Sequence, residues 1–209
     1  MSFLVVAATE AEIPNRLKHH LTHDKRFETL VTGVGMTSTA LSLGICLTQK
    51  TYAGIINVGI AGAFDFSINL GQPVRIIKDC FGELGVEDKT TFISIDDLGL
   101  GSSTYYEQAF EEKNKAIIPI QKVTGITVNT VHGNFNSIQG LLHRMPVQVE
   151  SMEGAAVFQA AERFKLPCLQ LRTISNYVEN RNKDKWDIPL ALANLNAWFD
   201  LFCENLTLD

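Results

Sequence analysis

Glu153 stands in Glu150-Ser151-Met152-Glu153-Gly154-Ala155-Ala156, between a short apolar segment and a run of very small residues. Small residues let a helix backbone pack close to its neighbours. A glutamate in the first turn of such a helix stays ionised, because the positive end of the helix dipole favours the anion. A fixed anion of this kind can accept hydrogen bonds from two neighbouring hydroxyls of one ligand, such as the 2′ and 3′ hydroxyls of a ribose. It can equally be no more than a complement to the dipole. Two other polar residues follow apolar runs. Glu12 closes Thr9-Glu10-Ala11-Glu12, a capping-box pattern in which the glutamate reaches back to the Thr9 N–H, so this segment by itself reads as a helix cap. Asn176, in Ser175-Asn176-Tyr177, reads by itself as the start of a turn.

These residues need a frame. Residues 3–8 read as a buried strand and residues 10–22 as a polar, amphipathic helix. Residues 28–32 read as a strand closed by Gly33-Val34-Gly35, followed by a small-residue helix over 37–47. Residues 54–58 form a further buried strand, closed by Gly59-Ile60-Ala61-Gly62; 73–81, 116–120, 124–129 and 147–150 are strand candidates. Residues 96–114 lack a period and read as a long loop, of the kind that often serves as a functional lid. Residues 151–164 read as helix and 168–175 as buried strand, and Asp187 caps a final helix with Pro189 in its first turn, running to about residue 205. Strands alternate with helices over one domain, 1–209, so the fold class is α/β with a large mixed sheet. In such sheets ligands bind beyond the C-terminal strand ends. That rule selects Thr9–Glu12, Gly33–Met36, residues 59–63 and Ser175-Asn176-Tyr177, with Glu153 opening the helix before the last strand.

Composition removes several classes of function. A net charge of −5 gives no footprint for nucleic acid or an anionic membrane surface. No stretch approaches the roughly 20 apolar residues of a membrane span. The first residues reach an acid without a basic region and read as strand rather than signal peptide. The 4 cysteines, Cys46, Cys80, Cys168 and Cys203, are far apart among apolar neighbours and lack metal-ligand spacing, which suits buried thiols in a reducing cytosol. His19, His20 and His23 lie beside Lys18, Asp24 and Lys25 and read as a solvated helix end, so no metal is expected. Gly33-Val34-Gly35-Met36-Thr37-Ser38 lacks the third small position of a dinucleotide fingerprint and follows the second strand, so no cofactor is expected either. It reads as a turn that lets a ligand approach the backbone.

The series Ala8-Thr9-Glu10-Ala11-Glu12, Asn57-Val58-Gly59-Ile60-Ala61-Gly62, Met152-Glu153-Gly154-Ala155 and Arg172-Thr173-Ile174-Ser175-Asn176 resembles the nucleoside phosphorylase and nucleosidase superfamily over nearly the whole chain. Three stretches are similar to one branch of it, the futalosine hydrolases of the alternative menaquinone pathway: Thr127-Val128-Asn129-Thr130-Val131-His132-Gly133, residues 150–156, and residues 174–182 with Trp186. The resemblance implies a three-layer α/β/α domain with a central mixed sheet and a cytoplasmic enzyme forming a homodimer or higher homo-oligomer. It implies a small-molecule nucleoside substrate, futalosine, cleaved to hypoxanthine and dehypoxanthine futalosine. Glu12 would activate the attacking water and Glu153 would hold the ribose hydroxyls. Met152 would pack on the sugar face, with Ser175, Ala61 and Gly62 beside the substrate and Phe135 stacking on the purine.

Relatives that cleave adenine nucleosides carry aspartate where this chain has Asn176. An amide donates to N7 or O6, which suits a 6-oxopurine over adenine. The alternatives are an adenine nucleosidase acting on methylthioadenosine, adenosylhomocysteine or aminodeoxyfutalosine, and a phosphorylase. The glycine turns at 33–36 and 59–64 hold no Lys or Arg for phosphate, and Arg172 lies inside a strand, so water is the expected nucleophile. Tyr105, Tyr106 and Phe110 are expected either to form an aromatic lid, in a region that often crosses to a partner subunit in the superfamily, or to pack an ordinary loop. Arg181 is a candidate for the benzoate carboxylate of futalosine, or a solvated loop residue.

Overall fold

A computed structural model of the chain describes residues 1–18, 24–110 and 120–206. Strand β1 (Phe3–Ala7) is buried along its whole length and pairs in parallel with β2 (Phe27–Val31) and β3 (Gly54–Ala63). Helix α2 (Met36–Gln49) connects β2 to β3. Strand β10 (Cys168–Tyr177) lies parallel to β3 and antiparallel to β4 (Pro73–Cys80). Strand β4 pairs in parallel with β8 (Gln121–Thr127) and, antiparallel, with the short β7 (Thr104–Tyr106). Strand β8 runs parallel to β9 (Val149–Ser151), which pairs antiparallel with the far end of β3. A separate hairpin joins β5 (Gly85–Asp88) to β6 (Thr91–Ser94).

The α/β class and the mixed sheet are as expected. The sheet is not one open central layer, however. Strand β3 pairs with β1, β10 and β9, so β3, β10, β4, β8 and β9 close on one another as a partial barrel. The reason is the length of β3: its first half serves β1 and its second half reaches β9. The expected stop at Gly59-Ile60-Ala61-Gly62 is therefore strand, and those residues form the barrel wall.

Layering survives around β1 and β3. Leu4, Val6 and Ile55 pack with Leu43 of α2 and with Ala155, Val157 and Phe158 of α4 (Gly154–Phe164). The alternate residues Phe3, Val5, Ala7 and Ile56 pack with Leu195, Trp198, Phe199 and Phe202 of α5 (Ile188–Asn205). A period of two residues per strand sends neighbouring side chains to opposite faces. A third cluster joins Phe64, Ile126 and Val128 to Ile138 and Leu141 of α3 (Phe135–Arg144).

Several expected boundaries shift. The helix expected over 10–22 begins late: a turn runs through Glu12, and α1 (Asn15–Lys18) starts after Pro14; residues 19–23, with His19, His20 and His23, lie outside the described residues. The strand expected at 116–120 falls mostly on residues 111–119, also outside them. In the expected loop over 96–114, β7 is strand. Tyr105 is buried with its hydroxyl donating to the Ser102 carbonyl, and Phe110 packs between Phe3 and Phe202, so these two are core rather than lid, while Tyr106 is exposed. Asp187 caps α5 as expected, its carboxylate accepting from the Leu190 N–H at 2.9 Å. All 4 cysteines are free thiols. Among the described residues no helix is long and apolar enough to cross a membrane.

Candidate active site

A cleft of about 370 Å³ opens at the C-terminal ends of β1, β3 and β10. Glu12, Ala61, Gly62, Met152, Glu153, Ser175 and Asn176 all line it, brought together from four separate parts of the chain. Phe135 is not among its lining residues; it begins α3, 60% exposed, with its N–H donating to the Asn180 side chain at 2.9 Å.

Glu12 is held by a turn and a strand. Its Oε2 accepts from the Thr9 N–H at 3.0 Å and the Thr9 hydroxyl at 2.8 Å, which is the reciprocal bond of a capping box without the helix. Its Oε1 accepts from the Ile60 N–H at 3.2 Å, on the wall of the barrel. Gly59 permits this approach: a Cβ there would stand 2.9 Å from Oε1. The carboxylate is thus fixed at the cleft with lone pairs left over, the arrangement a general base requires.

Glu153 occupies the residue before α4 and makes no capping bond to its own helix. Its Oε1 accepts instead from the Gly35 N–H at 2.9 Å, at the start of α2. Gly35 has φ 98°, a left-handed conformation that glycine adopts without steric cost, and that turn aims its N–H across the cleft. Burial pushes the Glu153 carboxyl above its ordinary value and the Glu12 charge adds to this, while the Gly35 N–H and the charge of Arg172 pull it down.

Arg172 is fully buried in β10, behind both glutamates. It donates from Nη2 to the Asn57 side-chain oxygen at 2.6 Å and from Nη1 to the Leu171 carbonyl at 3.0 Å. Burial lowers its ordinary pKa, and Glu153, Glu12 and Asp79 oppose that shift. Its position is a structural cation under the two carboxylates, not a group reaching into the cleft.

The other end of the cleft is shaped by a bulge. Ile174 pairs with Ala61 and Asn176 with Gly62, so Ser175 is the extra residue in β10. Bulges re-aim side chains. Here the Ser175 hydroxyl donates to Asn176 Oδ1 at 2.8 Å and approaches the Ala61 carbonyl at 3.3 Å, while Asn176 Nδ2 donates to the Tyr177 carbonyl at 3.1 Å. The Tyr177 carbonyl, which can only accept, fixes which side of the amide is the donor. One Nδ2 proton is left to point at a ligand.

Sequence reasoning missed a further pair as a site. His132 lies in the cleft with its backbone N–H on Glu150 Oε1 at 2.9 Å and its Nδ1 on Glu150 Oε2 at 2.5 Å. The strand-end rule applied to β8 would have selected Val131-His132-Gly133. Arg181 and Trp186 also line the cleft, with the guanidinium 5.3 Å from the indole centroid.

The family model described as the phosphorylase superfamily matches residues 23–201. The chain belongs to the phosphorylase superfamily. Among its superfamily relatives, futalosine hydrolase from Streptomyces coelicolor is 31% identical over 194 residues, covering 90% of this chain and 82% of that protein. Two solved superfamily structures share its fold. The futalosine hydrolase of Helicobacter pylori superposes with a TM-score of 0.77 at 13% identity, covering 99% of this chain and 98% of that one. The 5'-methylthioadenosine/S-adenosylhomocysteine nucleosidase of Colwellia psychrerythraea, in complex with adenine, superposes with a TM-score of 0.80 at 19% identity, covering 99% and 96%.

Proposed function

We propose that the chain is a nucleosidase that hydrolyses the N-glycosidic bond of futalosine, releasing hypoxanthine and dehypoxanthine futalosine for menaquinone biosynthesis in the cytoplasm. The observation that carries this reading is the convergence of Glu12, Glu153 and Asn176 on one nucleoside-sized cleft, in a chain 31% identical to a futalosine hydrolase. Glu12 takes a proton from water as its oxygen attacks C1′, help that is typically worth about 10²–10⁴-fold. Glu153 accepts from the ribose hydroxyls, and its charge favours the cationic sugar of the transition state. Met152 covers the sugar face, and the free Nδ2 proton of Asn176 goes to the 6-oxopurine edge. Arg181 is the cation of the cleft that suits the benzoate carboxylate at the 5′ end.

Water as nucleophile is supported by the engagement of Arg172 with Asn57 and Leu171, which withdraws the arginine nearest the glutamates from any phosphate. A homodimer is supported by Leu41 and Ile45, one turn apart on α2 and both more than half exposed. The test is a panel in phosphate-free buffer: futalosine, methylthioadenosine, adenosylhomocysteine and aminodeoxyfutalosine, each read by base release. Hypoxanthine from futalosine is the expected product. Turnover of the adenine nucleosides with futalosine ignored overturns the specificity, and a requirement for added phosphate overturns hydrolysis.

A further inference from the structure

Asn176 leaves a chemical deficit. When the C1′–N9 bond breaks, its electron pair moves into the purine, and the departing base is stabilised by a proton at N7. An amide donates a hydrogen bond and keeps its proton. Glu12 is engaged in taking a proton rather than giving one, and Glu153 faces the Gly35 N–H as an acceptor. Arg181 does not release protons in proteins. Of the titratable side chains lining the cleft, His132 with Glu150 remains.

The register puts that pair where it is needed. Gly62 pairs with Asn176 on one side and with Glu150 on the other, so the two side chains stand on neighbouring strands to either side of a glycine. Paired residues share a face of the sheet, about 5 Å from strand to strand. A Cβ on Gly62 would stand 3.1 Å from Asn176 Nδ2 and 2.8 Å from Val178 Cγ2. The bare glycine lets Asn176 and Val178 close over β3 there, and the amide and the imidazole both line the cleft. Glu150 is nearly fully buried and holds both the backbone N–H and Nδ1 of His132. A carboxylate on one ring nitrogen fixes the orientation of the ring and leaves the other nitrogen, Nε2, for a ligand.

We infer that His132, held by Glu150, is the general acid that protonates the leaving purine at N7 while Asn176 donates to O6. The inference rests on the cleft being a purine nucleosidase. The step balances: the water oxygen bonds to C1′ and its proton goes to Glu12. The C1′–N9 pair goes to the purine, and the Nε2 proton of His132 goes to N7. Neutral imidazole is left on Glu150, and solvent returns the proton. His132 touches the substrate; Glu150 is a positioning residue.

The experiment compares two leaving groups in wild type, His132→Gln and Glu150→Gln. One substrate is the purine nucleoside the wild type cleaves best. The other is 4-nitrophenyl β-ribofuranoside, whose phenolate departs without protonation. His132→Gln is expected to lower kcat on the purine nucleoside by about 10²–10⁴-fold and on the aryl riboside by less than about tenfold. Glu150→Gln is expected to give the same pattern with a smaller loss. Equal losses on both substrates, or undiminished purine turnover, overturn the inference. Should the wild type leave the aryl riboside uncleaved, imidazole added to His132→Ala decides: restored purine turnover supports the general acid, and no restoration overturns it. A wild type that prefers another purine nucleoside over futalosine overturns the substrate reading and leaves this comparison intact on that nucleoside.

Discussion

The two ends of the cleft hold their polar groups by different means. At the end with Glu12 and Glu153, the carboxylates accept from backbone N–H groups of Thr9, Ile60 and Gly35. At the end with Asn176, side-chain partners are added to backbone ones: the Ser175 hydroxyl on the amide oxygen and the Glu150 carboxylate on the His132 imidazole. Backbone donors persist through any substitution of their own side chains, provided the turn survives. Side-chain donors change with one codon. The difference teaches that the proposed bond-breaking end is built to stay fixed, whereas the proposed base-reading end is open to retuning between 6-oxo and 6-amino purines.

Removing the charge at the fixed end is expected to have the largest effect. Glu12→Gln keeps the size and the contact to Ile60 but cannot take the water's proton, so kcat for hypoxanthine release is expected to fall about 10²–10⁴-fold. A smaller loss than that of any Asn176 variant would break the proposed division of labour. Next is the tunable end: Asn176→Asp is expected to lower the 6-oxo over 6-amino preference in kcat/KM by about 10–100-fold, the scale of one buried polar mismatch. The two glycines then give a matched pair. Gly59→Ala puts a methyl 2.9 Å from Glu12 Oε1, and Gly62→Ala puts one 3.1 Å from Asn176 Nδ2. Each is expected to cost about tenfold in kcat/KM, an overpacking of about 1–2 kcal/mol, with Gly59→Ala acting on kcat and Gly62→Ala on KM. The opposite partition would contradict the comparison.

The smallest effect on turnover is expected below the cleft, at Asp79. It is fully buried, and burial pushes its carboxyl from 3.8 up to about 6, against the bonds from Thr127 at 3.0 Å and Gln170 at 3.1 Å. A raised folded value means that the protonated form is the one the fold favours. Its contribution is fully present below pH 3.8 and is lost as pH rises through about 6, on the order of 2–3 kcal/mol. Thermal unfolding across that window is expected to show wild-type Tm falling relative to Asp79→Asn as pH rises. Parallel curves would show that Asp79 does not titrate with folding.

Much of the frame was legible because its signals are local. The apolar run at 3–7, the small-residue helix after Gly35, and Asp187 before Pro189 each depend on residues within a turn or two. Misreadings fell where a distant strand supplied the deciding contact. Gly59 to Gly62 looked like a turn, yet β9 and β10 extend β3 through them. Tyr105 and Phe110 admitted either a lid or ordinary packing, and β4 and the cluster around Phe3 and Phe202 decide for packing.

By itself, then, the sequence determined the α/β alternation, the ordered motifs that carry the superfamily resemblance, and the residue types at the cleft: two glutamates, an amide and glycine segments without Lys or Arg of their own. The Thr9 contact of Glu12 was legible as a capping box, but only the tertiary structure decided the distant partner of each glutamate. Glu12 reaches Ile60, 48 positions on, and Glu153 reaches back 118 positions to Gly35. Only the fold joined His132 to Glu150 and set both beside Asn176 across Gly62. Periodicity and capping are rules of neighbours along the chain. The partners of a buried carboxylate are set by which strands close on which, and that closure is a property of the whole sheet.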